Sequence, residues 1–191
     1  AYCILATNDS MLEGTIMDAL TLLLTRHSQP RLTAPAPADE ALENIKQAAL
    51  RAPDHACLKP WKFIVCTGKG LDKLGDILQD SAISSDKEQV SIDRALQLPH
   101  RAPMVIIAIN QYKQHDKVPK EEQIAATACA VQSMQMAALV QGFAGIWRTG
   151  SYAQCPYVKQ SLELNEDDEI VGFLYLGTSS MKALPKPVID S

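Results

Sequence analysis

From Asp18 to Arg26 the apolar residues Leu20, Leu23 and Leu24 share one face at helical spacing, which predicts an amphipathic helix. Pro30, Pro35 and Pro37 then enforce an extended linker. A second helix is expected over 39–52, with Leu42, Ile45 and Ala49 on its apolar face. Pro53 stops it, because a proline pushes the residue before it out of helical geometry. Phe63–Cys66 reads as a strand bounded by Gly68 and Gly70. Helices over 71–78 and 87–98 follow, joined by a polar connector expected to be mobile. Met104–Ile109 is an unbroken apolar run after Pro103, the pattern of a strand covered on both faces. The longest helix is expected over Lys120–Gln141. It is apolar nearly all round from Ala125 to Val140, which predicts burial. Ala144–Trp147 reads as a short strand, Pro156–Leu164 as a helix opened by its proline, and Ile170–Leu176 as a last strand. Helices and short strands interleave irregularly, which gives an α+β fold with helices around a mostly antiparallel sheet.

The chain's 191 residues suit one domain, or one domain with ordered tails. Residues 1–16 are expected to be an extension outside the fold, 17–180 the domain, and 181–191, with Pro185 and Pro187, an extended tail able to wrap a partner subunit. A net charge of −4 argues against a non-specific nucleic-acid binder, which needs a basic face to displace counterions. The apolar stretches 105–109 and 125–140 are read as too short or too polar to span a membrane, and 1–16 lacks the features of a secretory signal. Five scattered cysteines without zinc-type spacing point to reduced thiols in a cytoplasmic protein, with no metal site.

Three clusters carry candidate chemistry. Arg26-His27-Ser28 ends the first helix. A guanidinium beside a hydroxyl can seat a phosphate or carboxylate, and basic residues at a helix C-terminus equally offset the macrodipole. The second cluster runs from Arg51 through His55 and Cys57 to Lys59, Pro60 and Trp61, where two prolines constrain a loop rich in binding groups. On its own His55 fits a structural hydrogen-bonding role, and Trp61 a core role. The third is 141–150, whose glycines let a ligand approach the backbone and whose Arg148 adds a fixed charge; it also fits a tight helix-to-strand connection.

Taken together, the RHS at 26–28, RAPDH followed by KPW within 51–61, the Met/Ala-rich 125–140, GFAGIWRTG at 142–150 and IVGFLYLGT at 170–178 resemble the nitroreductase family, in its compact bacterial branch. The resemblance spans about residues 17–180. It implies an intertwined homodimer with FMN at the subunit interface, and NADH or NADPH as electron donor. Arg26, His27 and Ser28 carry over as flavin contacts, as do Trp147, Arg148 and Thr149. Arg51 and His55 are expected to reach FMN across the dimer. Ala137, Ala138, Leu139, Val140, Gln141 and Gly142 correspond to a segment assigned to the nicotinamide nucleotide. His27 stands where the family has a second arginine, Thr149 where it has serine. Cys57 and Lys59 stand where larger relatives have Asn and Gln.

The resemblance implies ping-pong electron transfer from the nicotinamide to a nitroaromatic, quinone or similar small electrophile. The hydride chemistry belongs to the cofactor, so no acid or base residue is assigned. Three other readings stand beside it: a non-catalytic flavin-binding or redox-sensing module, flavin-consuming or dehalogenating chemistry, and a thiol enzyme centred on Cys57 and His55. Dimerisation also has a physical ground, since one small sheet cannot cover a long helix apolar on most faces.

Overall fold

The computed structural model describes residues 18–180, so the expectations for 1–16, for Met17 and for 181–191 lie outside the described residues. The helices are α1 (Ala19–Thr25), α2 (Asp39–Ala49), α3 (Lys69–Ser84), α4 (Gln89–Gln97), α5 (Lys120–Val140), α6 (Ser151–Gln154) and α7 (Pro156–Ser161). The strands are β1 (Leu32–Thr33), β2 (Trp61–Thr67), β3 (Met104–Asn110), β4 (Ala144–Arg148) and β5 (Glu169–Ser179). Short 3-10 turns occupy His55–Cys57 and Pro99–Arg101. The sheet runs β1-β5-β3-β2, with β4 also paired to β5, and every pairing is antiparallel. The α+β fold expected from the sequence is the fold observed.

All seven residues of β3 are buried, and their period-2 alternation divides the core. Val105, Ile107 and Ile109 join the cluster under α3, α4, α6 and α7. Met104, Ile106 and Ala108 face α2 and α5. Each fully buried isoleucine contributes roughly 1.5–3 kcal/mol. The register between β3 and β5 shifts between Ala108 and Ile109, which pair with Gly172 and Ile170; Val171 is the extra residue of a β-bulge.

Four expectations are corrected. The face of α1 formed by Leu20, Leu23 and Leu24 does not pack inward: these residues are 64%, 60% and 71% exposed, and Leu22 is the half-buried position. Asp18 holds the helix start, accepting the backbone N–H groups of Leu20 and Thr21 at 3.0 Å each. Helix α5 is buried on one face only, through Ala126, Thr127, Ala130, Val131, Met134, Gln135 and Ala138, because the sheet lies on one side of it. Cys129, Gln132 and Val140 are exposed. By length and composition α5 is also long and apolar enough to cross a membrane, contrary to the sequence reading; its sheet-facing side is a core face. Finally, α3 continues through the polar connector to Ser84, since Leu71, Leu74, Leu78, Ser81 and Ala82 keep one buried face.

Candidate functional site

Residues 26–29 leave α1 and lie against the start of β4. The Arg26 N–H closes α1 on Leu22 O at 3.0 Å, and the Gln29 N–H donates to Gly145 O at 3.0 Å. The Gln135 amide on α5 donates to the same Gly145 carbonyl at 3.3 Å. His27 Nδ1 lies 3.1 Å from Thr25 O, and its Nε2 lies 2.6 Å from Gln29 Nε2. A carbonyl only accepts, which puts the hydrogen on Nδ1 and leaves Nε2 accepting from the Gln29 amide. Both ring nitrogens are thus used within the segment. In this arrangement His27 does not present the free donor that a second arginine would, while Ser28 is exposed.

The 51–60 loop meets α5 at several points, Arg51 beside Met136, His55 at Glu122 and Pro60 at Thr127. Arg51 is exposed beside a groove of about 570 Å³ that it lines together with Leu22, Leu23, Met136, Ala137 and Val140. Farther on, Ala56, Cys57 and Lys59 have φ of 60°, 54° and 49°. Three non-glycine residues in left-handed geometry within four positions is a strained arrangement, and such strain persists only where surrounding bonds over-determine it. Those bonds are present. The Lys59 N–H donates to Asp54 Oδ2 at 2.6 Å. Lys113 Nζ donates to Leu58 O at 2.6 Å, and the Gln111 N–H to Pro60 O at 2.7 Å. Buried Gln123 in turn fixes Lys113, accepting its N–H at 2.9 Å and donating to its carbonyl at 2.8 Å. His55 Nδ1 lies 2.8 Å from Glu122 Oε2 in the first turn of α5.

Strand β4 carries the third cluster. Trp147 packs on the α2/α5 face of the sheet. The Arg148 guanidinium lies 5.8 Å from the centroid of the Tyr175 ring. Burial pushes the Tyr175 hydroxyl above its ordinary range, against the opposing pull of Arg148 and Arg101. Two donors here, Trp147 Nε1 and Arg148 Nε, are buried with no hydrogen-bond partner among the described residues. Leaving a buried donor unpaired costs about 1–3 kcal/mol. The two donors point to opposite faces of the sheet, Trp147 toward α2 and α5 and Arg148 toward Tyr175. Thr149 is exposed at the strand end.

The segment 137–142 is only partly available to a ligand. Ala138 is buried, and the Gln141 amide is engaged: it donates to Ala41 O at 3.2 Å and Ala137 O at 2.8 Å and accepts from Asn44 at 3.1 Å. Ala137 and Val140 line the Arg51 groove; Leu139 is half-buried and Gly142 exposed.

One chain does not bring all the candidates together. The 26–29 segment sits beside Gln135 and His55 beside Glu122, 13 positions apart on α5, or about 20 Å at 1.5 Å per residue. Gln29, Gln135, Glu122 and Lys113 escaped the sequence reading because each acts through a partner on another element. A separate cavity of about 430 Å³, between α3, α4 and α6, is lined by Ser81, Lys87, Tyr152 and Cys155 and holds none of the candidate residues. Among the described residues no cluster of His, Cys, Asp or Glu is arranged to hold a metal ion.

The sequence profile of the Nitroreductase family matches residues 23–178. A protein of Escherichia coli K12 named "Putative NAD(P)H nitroreductase YdjA" is 46% identical over 167 residues, 87% of this chain and 91% of that protein. A Haemophilus influenzae protein named "Putative NAD(P)H nitroreductase" is 40% identical over 168 residues, again 87% of this chain and 91% of the relative. Among solved structures, a nitroreductase-like family protein from Bacillus cereus superposes with a TM-score of 0.75 at 23% identity, covering 90% of each chain. A nitroreductase from Bacteroides fragilis, solved with bound FMN, superposes with a TM-score of 0.69 at 22% identity, covering 90% of this chain and 94% of that one. By the extent of the profile match and the identity to these relatives, the chain belongs to the nitroreductase family.

Proposed function

We propose that this protein is an FMN-dependent NAD(P)H oxidoreductase that passes electrons to nitroaromatic, quinone or similar small electrophilic acceptors. The observation that carries the reading is the Nitroreductase profile match over residues 23–178, which takes in the Arg26–Ser28, Arg51–His55 and Trp147–Thr149 segments. The Bacteroides fragilis neighbour carries FMN, and the relatives' names specify NAD(P)H.

In this reading Arg26 and Ser28 hold the cofactor together with Trp147, Arg148 and Thr149. The ring nitrogens of His27 are engaged by Thr25 and Gln29, so in this arrangement neither is directed at the cofactor. Arg51 and His55 are read as reaching the same cofactor from a second copy of the chain, which accounts for the separation of His55 from the 26–29 segment within one chain. The nicotinamide nucleotide is read as lying along 137–142, where Gly142 is exposed. FMN supplies the hydride and electron transfer; the protein residues bind, orient and exclude water. Donor and acceptor then occupy the site in turn, giving ping-pong kinetics. The protein works as a homodimer, and its four free thiols among the described residues favour the reducing cytoplasm.

The absorption spectrum of the purified protein tests this, with the released chromophore identified by mass. A flavin spectrum releasing FMN is expected, bleached by NADH or NADPH under anaerobic stopped-flow mixing and restored by a quinone. A protein that stays colourless after incubation with FMN would overturn the proposal.

A further inference from the structure

We propose that Glu122 is a positioning residue of the flavin site, holding the Nδ1–H of His55 so that Nε2 of that ring faces the ligand. The inference rests on the reading of His55 as a flavin contact. Its ground is geometric. Glu122 Oε2 lies 2.8 Å from His55 Nδ1, and Nε2 of the same ring makes no hydrogen bond among the described residues. A carboxylate on Nδ1 keeps the hydrogen there, which makes Nε2 the nitrogen left for a ligand.

A carboxylate in the first turn of a helix is favourable for the macrodipole alone. That account serves Glu121 and Glu122 equally, yet only Glu122 meets the imidazole. Nor does stability account for the contact, because the two side chains are 53% and 50% exposed and an ion pair so open to water contributes little. What the contact does is orient. It closes a set of bonds on a strained loop: Asp54 grips Lys59, Lys113 grips Leu58, and Gln111 grips Pro60. These fix the backbone at 58–60, just beyond His55, but do not touch its ring. Glu122 holds the ring, and a pre-oriented ring loses less entropy on binding.

The test uses the full chain. Nitrogen-15 NMR of the imidazoles reads the tautomer, and quenching of FMN fluorescence reads affinity, for wild type, His55→Ala, Glu122→Ala, Glu122→Gln and the His55→Ala/Glu122→Ala double variant. The expected results are an Nδ1–H tautomer in wild type and Glu122→Gln, and a tautomer mixture in Glu122→Ala. His55→Ala weakens FMN about tenfold and Glu122→Ala about threefold. Glu122→Gln stays near wild type, and the double variant is no weaker than His55→Ala. An unchanged tautomer in Glu122→Ala, or additive losses in the double variant, would overturn the role of Glu122 while leaving His55 as a contact. An unchanged affinity in His55→Ala would overturn the reading of His55 and the inference with it.

Discussion

At position 172 a side chain has no room. A Cβ built on Gly172 would collide with Trp147 Nε1 and lie 2.7 Å from the carbonyl oxygen of Arg148. The bulge at Val171 lets β5 present a bare backbone where the indole crosses it. Gly172→Ala therefore displaces Trp147 and the strand that carries Arg148. Overpacking of this kind costs about 1–3 kcal/mol, or roughly 2–4 °C in melting temperature for each kcal/mol in a chain of this size. Gly75→Ala is the control, because its Cβ would strike Leu96 O at 2.6 Å between α3 and α4. Both variants should melt earlier by differential scanning fluorimetry, and only Gly172→Ala should also lose FMN affinity. Equal FMN affinity in the two would separate Trp147 from the cofactor. The cysteines diverge on the same scale. Burial pushes the Cys66 thiol up. Burial is also the largest single influence on Cys155, but the Ser81 hydroxyl and the backbone amides of Val158 and Tyr157 outweigh it and hold that thiol below its ordinary value. Since the thiolate is the reactive form, iodoacetamide at neutral pH should label Cys155 well before Cys66, as read by peptide mass mapping.

Between elements, Glu169 at the start of β5 ties two helices to the sheet, meeting Lys120 of α5 at 2.8 Å and Lys159 of α7 at 2.7 Å. Desolvation raises the Glu169 carboxyl, but hydrogen bonds and charge from Lys120 and Lys159 prevail and hold it below the ordinary carboxylate value of 4.5. A depressed carboxyl stabilises the fold above its unfolded value, and that contribution is lost as pH falls through the lower, folded one. With the carboxylate about one-third exposed, the contribution is about 1 kcal/mol after screening. Glu169→Gln should thus lower the melting temperature by a few degrees at pH 7, and thermal melts should bring variant and wild type progressively together as pH falls below 4.5. Elements of uniform pattern were legible in the sequence: β3 from its unbroken apolar run, α2 from its spacing, α5 from its length and apolar composition, β4 and β5 from short apolar segments. The others depend on distant partners. Strand β1 is two residues long and exists through its pairing with Thr178 and Ser179. The polar end of α3 is helical because Ser81 and Ala82 are buried, with Ser81 3.1 Å from Cys155. At the site, the motif residues were visible as types in order, while the hold on His55 was not, since Glu122 lies 67 positions away.

For the whole molecule the question is what covers α1 and the outer face of α5. Leu20, Leu23 and Leu24 stand 60–71% exposed, and Val140 47%. The groove between α1, α2 and α5 is walled by Leu22, Leu23, Met136, Ala137 and Val140, with Arg51 at its side. Contiguous apolar surface of this kind marks an interaction face. On the proposed reading a second copy is the occupant that would also complete the site, by bringing Arg51 and His55 to a cofactor held by residues 26–28 and 147–149. Sedimentation velocity at micromolar concentration should then show a dimer. Leu23→Glu should shift it toward monomer, because a symmetric interface meets each added charge twice and buries it against apolar surface. The fold should survive, since Leu23 is exposed within one chain and its replacement opens no cavity in either core cluster. FMN should be lost together with the dimer, so absorbance at the flavin bands should follow the dimer boundary and be missing from the monomer. A wild-type monomer carrying stoichiometric FMN would instead place the whole site in one chain and leave the apolar face of α1 to some other partner.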